Sequence, residues 1–174
     1  VEPAPPPFEA KSVVLDGKAM GTKIKMSSYT TPEMDEAKVG AALGKGFREI
    51  TRLEKLMSTW IPSSEVSRIN ASGAKAPIVI GPETFAVIEK SIWIGSESAG
   101  VFDITFEAMH GLWKFDEGAE ARIPDKKDID KARKLIDYRN IELDAEARSV
   151  RLKKEGVRIN LGGIAKGYAV DAAG

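Results

Sequence analysis

The sequence has no cysteine and a single histidine, His110. Disulfide frameworks, iron–sulfur clusters, cysteine nucleophiles and zinc sites built from several histidines are therefore excluded. A metal held here must take oxygen ligands, which suits Mg2+ or Ca2+. No apolar run approaches the ~20 residues of a membrane span, and no signal peptide is evident. Net charge is missing too, since 26 Lys and Arg balance 26 Asp and Glu. That balance argues against a broadly basic surface for nucleic acid or membranes. Internal repeats are absent.

What is there is enough for one domain. A chain of 174 residues buries roughly 70% of the surface its unfolded form exposes. Residues 1–11 begin Val1-Glu2-Pro3-Ala4-Pro5-Pro6-Pro7, a stiff extended spacer. It reads as a tether whose anchor has been removed, or as an expression remnant. Residues 12–174 carry the folded domain. The end, Ala172-Ala173-Gly174, falls about two turns into a helix, too short to be stable unless packed, so a fragment or a processing boundary is expected.

Strands are expected at Val13 to Leu15 and Lys23 to Met26, with Gly21 marking a bend between them. Thr31-Pro32-Glu33 has the residues of a helix start, with Thr31 as N-cap. Val39, Leu43, Phe47, Ile50, Leu53 and Met57 then form one buried stripe. Gly40, Gly44 and Gly46 weaken that helix by about 1 kcal/mol each, which calls for close packing against a sheet. A short helix follows the cap Ser63-Ser64-Glu65, and Pro77 to Ile80 is a short buried strand. Pro82 opens a helix with the stripe Phe85, Ile88, Ile92 and Gly95, ending near Gly100. A short helical pattern runs through Met109 and Trp113, and Pro124-Asp125 opens a helix carrying Ile129, Ala132 and Leu135. Ile141 to Leu143 and Val150 to Leu152 form a hairpin around Asp144 to Arg148. This order fits an α+β domain, a mixed or antiparallel sheet packed with helices, better than a doubly wound sheet.

Val157 to Asp171 is the stretch that most suggests a ligand. Val157, Ile159 and Leu161 alternate as in a half-buried strand, and Ala165 to Ala173 reads as a helix. Gly162 and Gly163 between them allow positive φ and close approach of a ligand to the backbone. The helix N-terminus and Lys166 suit a phosphate. Tyr168 and Ala169 follow Gly167 where a P-loop requires Lys and Ser or Thr, and the Rossmann glycine order is absent as well. An ordinary tight turn remains an equal reading.

Single residues carry less. His110 has no nucleophile or acid beside it and reads as structural or surface. Trp93 and Trp113 are expected in the core. Trp60, after Ser58 and Thr59 at a helix exit, either stacks on a flat ring or seals the core. Asp103, framed by Phe102 and Ile104, needs donors or a ligand, or else caps the helix that follows.

Taken in order, five patches resemble the FAD:protein FMN transferases of the ApbE family. They are Met20-Gly21-Thr22, Leu56-Met57-Ser58-Thr59-Trp60, Gly100-Val101-Phe102-Asp103-Ile104-Thr105, Leu112-Trp113-Lys114-Phe115 and Asn160 through Asp171. The resemblance covers nearly everything after about residue 12 but only the N-terminal half to two-thirds of a typical member. It implies a T-fold-like α+β domain, incomplete at the C-terminus, that transfers FMN from FAD to a Ser or Thr hydroxyl of an acceptor flavoprotein with Mg2+ and releases AMP. By motif, Met20, Trp60, Val101, Phe102, Asp103, Asn160 and Lys166 would contact FAD, and Gly163 would give a backbone carbonyl to the metal. The family's acidic and Thr metal ligands and its catalytic histidine match nothing in this chain, so the catalytic residues are unassigned and the polypeptide 1–174 is expected to be inactive and to bind FAD weakly. An exported, membrane-tethered protein in the periplasm or another extracytoplasmic space is implied. The rival functions are an Mg2+-dependent FAD pyrophosphatase and a non-catalytic flavin-binding module.

Overall fold

A computed structural model describes residues 7–113 and 123–174. Lys114 and Phe115, from one of the family-like patches, lie outside the described residues, as does most of the Pro-rich start. The chain divides into two compact units, one of residues 1–54 with 169–174 and one of residues 55–168. No helix among the described residues is long and apolar enough to cross a membrane. The α+β class is as expected, with small antiparallel sheets and helices.

The first unit opens with a hairpin of β1 (Ser12–Ala19) and β2 (Thr22–Tyr29), paired from Ser12 with Tyr29 to Ala19 with Thr22. Its two-residue turn, Met20-Gly21, has φ of 53° and 68°. Positive φ at both positions is the geometry that matches the right-handed twist of the strands. Helix α1 (Glu36–Met57) follows, and its expected start at Thr31 is a correction. Thr31 Oγ1 accepts the N–H groups of Glu33 and Met34 and closes a turn of its own. Asp35 is the cap instead, accepting from Lys38 N–H at 2.8 Å. Of two competing caps, the one directly before the apolar stripe prevails.

Of the expected stripe, Val39, Leu43, Ile50, Leu53 and Met57 are buried and Phe47 is half-buried. Of the three helix glycines only Gly46 serves close packing, because a Cβ there would lie 2.8 Å from both the Ala173 carbonyl oxygen and Met26 Cε. Gly40 meets nothing within 4 Å, and Gly44 only an arginine tip at 3.5 Å.

The second unit holds α2 (Glu65–Ser72), β3 (Ile78–Val79), α3 (Pro82–Glu97), a 3-10 helix at Ile104–Met109, α4 (Lys126–Arg133), a 3-10 turn at Tyr138–Asn140, β4 (Ile141–Asp144) and β5 (Ser149–Leu152). The sheet order is β3-β5-β4, all antiparallel. As an edge strand β3 is only half-buried, with Val79 exposed. On α3 the buried face includes Thr84, Phe85, Val87, Ile88, Ser91 and Gly95, so Ile92 sits beside the stripe and not on it. Trp93 is a further correction. It is 52% exposed, with Lys90 Nζ 3.6 Å above its ring. Trp113 is 37% exposed rather than buried. Each offers only part of a large ring to neighbours, which surface aromatics commonly do.

The segment Val157 to Leu161 has the burial of a strand without its ladder. Val157, Ile159 and Leu161 are all buried, yet no strand is formed there. The side-chain amide of Asn70 takes the place of a neighbouring strand, accepting from Ile159 N–H at 2.7 Å and donating to Ile159 C=O at 2.9 Å. One Asn amide satisfies both backbone groups of a single residue in this way. Helix α5 (Ala165–Ala173) follows as expected and runs from the second unit into the first.

Candidate functional site

Trp60 is presented by the loop that precedes α2. Ser64, the α2 cap, accepts from Ser67 N–H at 3.0 Å and donates its hydroxyl to Ser58 C=O at 2.6 Å. One buried serine thus starts the helix and pins the loop. The indole is 79% exposed, so it does not seal the core. It meets the ring of His110, with ring centroids 5.8 Å apart and planes at 60°.

His110 is not without an acid. Glu107 lies one turn earlier, inside the first 3-10 helix, and is only 4% exposed. Its Oε2 accepts from Asn160 Nδ2 at 2.9 Å. Its Oε1 is 3.0 Å from His110 Nδ1 and 3.9 Å from an Arg158 nitrogen, ion-pair contacts and not hydrogen bonds. Asn160 is held again through its backbone, whose N–H donates to Ile104 C=O at 2.9 Å, and its Oδ1 accepts from Gly162 N–H at 2.7 Å. Two patches a hundred residues apart in sequence, around Trp60 and around Asn160, are thereby joined through Glu107 and His110. Sequence reasoning missed Glu107, although its spacing from His110, three residues on a helical pattern, was the available signal.

The turn Val101-Phe102-Asp103 follows a left-handed pair, Ala99 and Gly100, with φ of 51° and 83°. Val101 is 91% exposed. The Phe102 ring packs on the glycine pair, since a Cβ on Gly163 would sit 3.2 Å from Phe102 Cε2. Neither Gly162 nor Gly163 has positive φ. Their lack of a side chain serves close approach instead, at Gly162 to Asn160 Oδ1, 2.9 Å from where a Cβ would be.

Asp103 caps the 3-10 helix and does more. Oδ1 accepts from Thr105 N–H at 2.8 Å and Thr105 Oγ1 at 2.6 Å, and Oδ2 accepts from Tyr138 N–H at 2.8 Å. Thr105 Oγ1 in turn accepts from Asp137 N–H at 2.8 Å. The carboxylate still borders a cleft of about 330 Å³ shared with Ala99, Gly100 and residues 136–139.

Lys166 folds its Nζ onto Gly162 C=O at 3.2 Å, placing a positive charge over the glycine turn at the start of α5. The second unit therefore gathers Trp60, Phe102, Asn160, Gly163 and Lys166 through contacts among themselves and with Glu107 and His110. Met20 belongs to the first unit, at the hairpin turn, where its N–H donates to Glu54 Oε1 at 2.7 Å beside a cleft of about 490 Å³.

The donor set does not make a magnesium site. Among the described residues no three His, Cys, Asp or Glu side chains gather to hold a metal, and Asp103 spends both oxygens on the fold. Among the same residues no backbone N–H donates to the Gly163 carbonyl, but one carbonyl falls short of the several oxygens Mg2+ requires.

The architecture is that of the ApbE flavin transferase structures. The solved ApbE protein of Thermotoga maritima superposes with a TM-score of 0.81 at 28% identity, over 94% of this chain and 51% of that one. The Vibrio cholerae flavin transferase ApbE gives 0.83 at 23% identity, over 95% and 52%, a likeness of fold. The chain belongs to the ApbE family, whose model matches residues 20–174. Curated relatives named FAD:protein FMN transferase include those of Treponema pallidum, 28% identical over 87% of this chain and 42% of the relative, and Klebsiella pneumoniae, 28% identical over 97% and 48%. The chain spans about half the length of the curated relatives it matches.

Proposed function

We propose that the intact protein transfers FMN from FAD to a Ser or Thr hydroxyl of an acceptor flavoprotein, releasing AMP. The observation that carries this reading is the linkage of Trp60 to Asn160 through His110 and Glu107 in a chain matching the ApbE family over residues 20–174. An exposed indole suits the isoalloxazine or adenine ring. The Lys166 ammonium and the helix start suit the pyrophosphate. Met20, Val101, Phe102 and Asp103 enter the reading through the motifs they belong to.

The reaction follows from the chemistry of a pyrophosphate. The acceptor oxygen attacks the FMN phosphorus, the bond from that phosphorus to the bridging oxygen breaks, and AMP leaves with the bridging oxygen. The hydroxyl proton passes to a base. Charge neutralisation and in-line placement are the protein's contribution, and no cysteine or protein nucleophile is required. Mg2+ at the pyrophosphate belongs to the reading as a family property. The residues described here supply for it at most the Gly163 carbonyl, so no step is routed through it.

The test is incubation of the intact protein with FAD and Mg2+, with and without an acceptor presenting Ser or Thr. Transfer yields yellow fluorescence that stays with the acceptor through denaturing separation. Free FMN and AMP in both arms identify an FAD pyrophosphatase. Binding of FAD with neither product identifies a flavin-binding module, the reading favoured by the lack of a gathered metal cluster among the described residues. The same proposal puts the protein in the periplasm or another extracytoplasmic space, and a fused reporter active only there would stay silent if it were wrong.

A further inference from the structure

A buried carboxylate is costly unless charge and hydrogen bonds compensate it. Glu107 is compensated in a lopsided way: Oε2 holds Asn160, while among the described residues Oε1 has no hydrogen bond and faces His110 Nδ1 at 3.0 Å and Arg158 at 3.9 Å. His110 is half-exposed and stands between this carboxylate and the exposed ring of Trp60. The backbone tie between Ile104 and Asn160 already joins the two segments.

We infer that Glu107 and His110 are a positioning pair for the flavin nucleotide, Glu107 fixing the Asn160 amide with one oxygen and aligning His110, and through it Trp60, with the other. The inference rests on the FAD reading above, and it specifies how that site is held. Glu107 needs no contact with FAD. Its removal leaves the Asn160 amide held, among the described residues, only by Gly162 N–H on its Oδ1 and frees the His110 ring to swing, so two ligand contacts loosen together. An unpaired Asn160 Nδ2 and a released imidazole are the consequence of losing one side chain.

The experiment titrates the intact protein and its Glu107→Ala, Glu107→Gln and His110→Phe variants with FAD, following flavin fluorescence, and records the Trp60 indole N–H resonance of each without flavin. Glu107→Ala is expected to weaken FAD binding about tenfold, the size of losing the partner of a buried polar group. Glu107→Gln still accepts from Asn160 but offers no charge to His110, so it recovers part of that loss. His110→Phe weakens binding about threefold and leaves the Asn160 arm intact. The Trp60 resonance moves in Glu107→Ala and His110→Phe. Wild-type affinity in all three variants overturns the inference and leaves the FAD reading standing. Failure of the unaltered protein to bind FAD overturns the FAD reading, and with it the role in flavin binding assigned here. A Trp60 resonance unmoved in every variant overturns the alignment of Trp60 whatever FAD does. Should Glu107→Ala not fold, Glu107→Gln and His110→Phe carry the same decisions.

Discussion

The two carboxylates of the 3-10 helix at Ile104–Met109, Asp103 at its N-cap and Glu107 inside it, are partnered in opposite ways. At the N-terminal end Asp103 is saturated, its two oxygens taking three hydrogen bonds from Thr105 and Tyr138. Inside the helix Glu107 is more deeply placed, yet among the described residues one of its oxygens has no hydrogen bond. A saturated carboxylate has little left to offer a ligand and much to lose in stability. An under-partnered one contributes less to the fold and leaves an oxygen to align a neighbour. From the residues alone Asp103 reads equally as a ligand contact or as a helix cap, and the hydrogen bonding shows the cap; Glu107 was passed over.

The largest effect should come from Asp103→Ala. It strands the Tyr138 and Thr105 N–H groups and unties Thr105 from its place beside Asp137, which predicts a loss of about 3 kcal/mol in urea unfolding. Asp103→Asn, retaining one acceptor, should lose about half of that. The comparison breaks if Asp103→Ala unfolds like the unaltered protein while FAD affinity collapses, for then Asp103 is a ligand contact and not a structural knot.

Asn70→Ala comes next, at about 2 kcal/mol, because both the N–H and the C=O of buried Ile159 lose their partner. Asn70→Asp keeps the acceptor for Ile159 N–H and replaces the donor by a second acceptor, so it should be no better. The segment Val157 to Leu161 leads directly to Asn160 and the glycine turn, so FAD affinity should fall with stability in Asn70→Ala. A parallel decline there, set against the separation expected at Glu107, distinguishes support of the backbone from positioning of side chains.

How far the sequence led can be read from these same places. The hairpin, the stripe of α1, the Ser64 cap and the β4–β5 hairpin were legible because periodicity and capping are local properties. The start of α1 was not, because Thr31 and Asp35 are both good caps and only their hydrogen bonds decide between them. The ladder-free segment was not, because its partner is a side chain 89 residues away. The site was legible as separate patches through the resemblance to a family. Their junction at Glu107 was not, since a glutamate on a helical pattern ordinarily faces solvent.

A smaller effect tests the Asp103 end from its rim. Asp137 caps the 3-10 turn at Tyr138–Asn140, and its Oδ1 accepts from both Arg139 N–H and Arg139 Nε at 2.9 and 2.8 Å. The Arg139 guanidinium holds its carboxyl below the usual carboxylate value, chiefly through that side-chain hydrogen bond. A depressed carboxyl stabilises the fold above the unfolded value of about 3.9 and stops doing so as pH falls through the lower folded value. Asp137→Asn should therefore narrow the gap between stability at neutral pH and near pH 3 by a fraction of a kcal/mol, because the pair is partly exposed. An unchanged acid limb would assign that limb to other carboxylates.

The smallest change in stability is expected where binding should suffer most visibly. Trp60 is 79% exposed, and its removal uncovers little that water does not already reach, so Trp60→Ala should unfold within about 0.5 kcal/mol of the unaltered protein. Its exposed face is where a flat ring would stack, an interaction worth about 1–3 kcal/mol, so FAD affinity should fall about tenfold or more. Trp60→Phe, keeping a smaller aromatic face, should recover part of it. Trp93 is the control, an exposed indole covered on one face by Lys90 Nζ at 3.6 Å and outside the Glu107 cluster. Trp93→Ala should leave FAD affinity unchanged. Equal losses from Trp60→Ala and Trp93→Ala would mean that exposure alone, and not the linkage to His110, Glu107 and Asn160, had singled out Trp60.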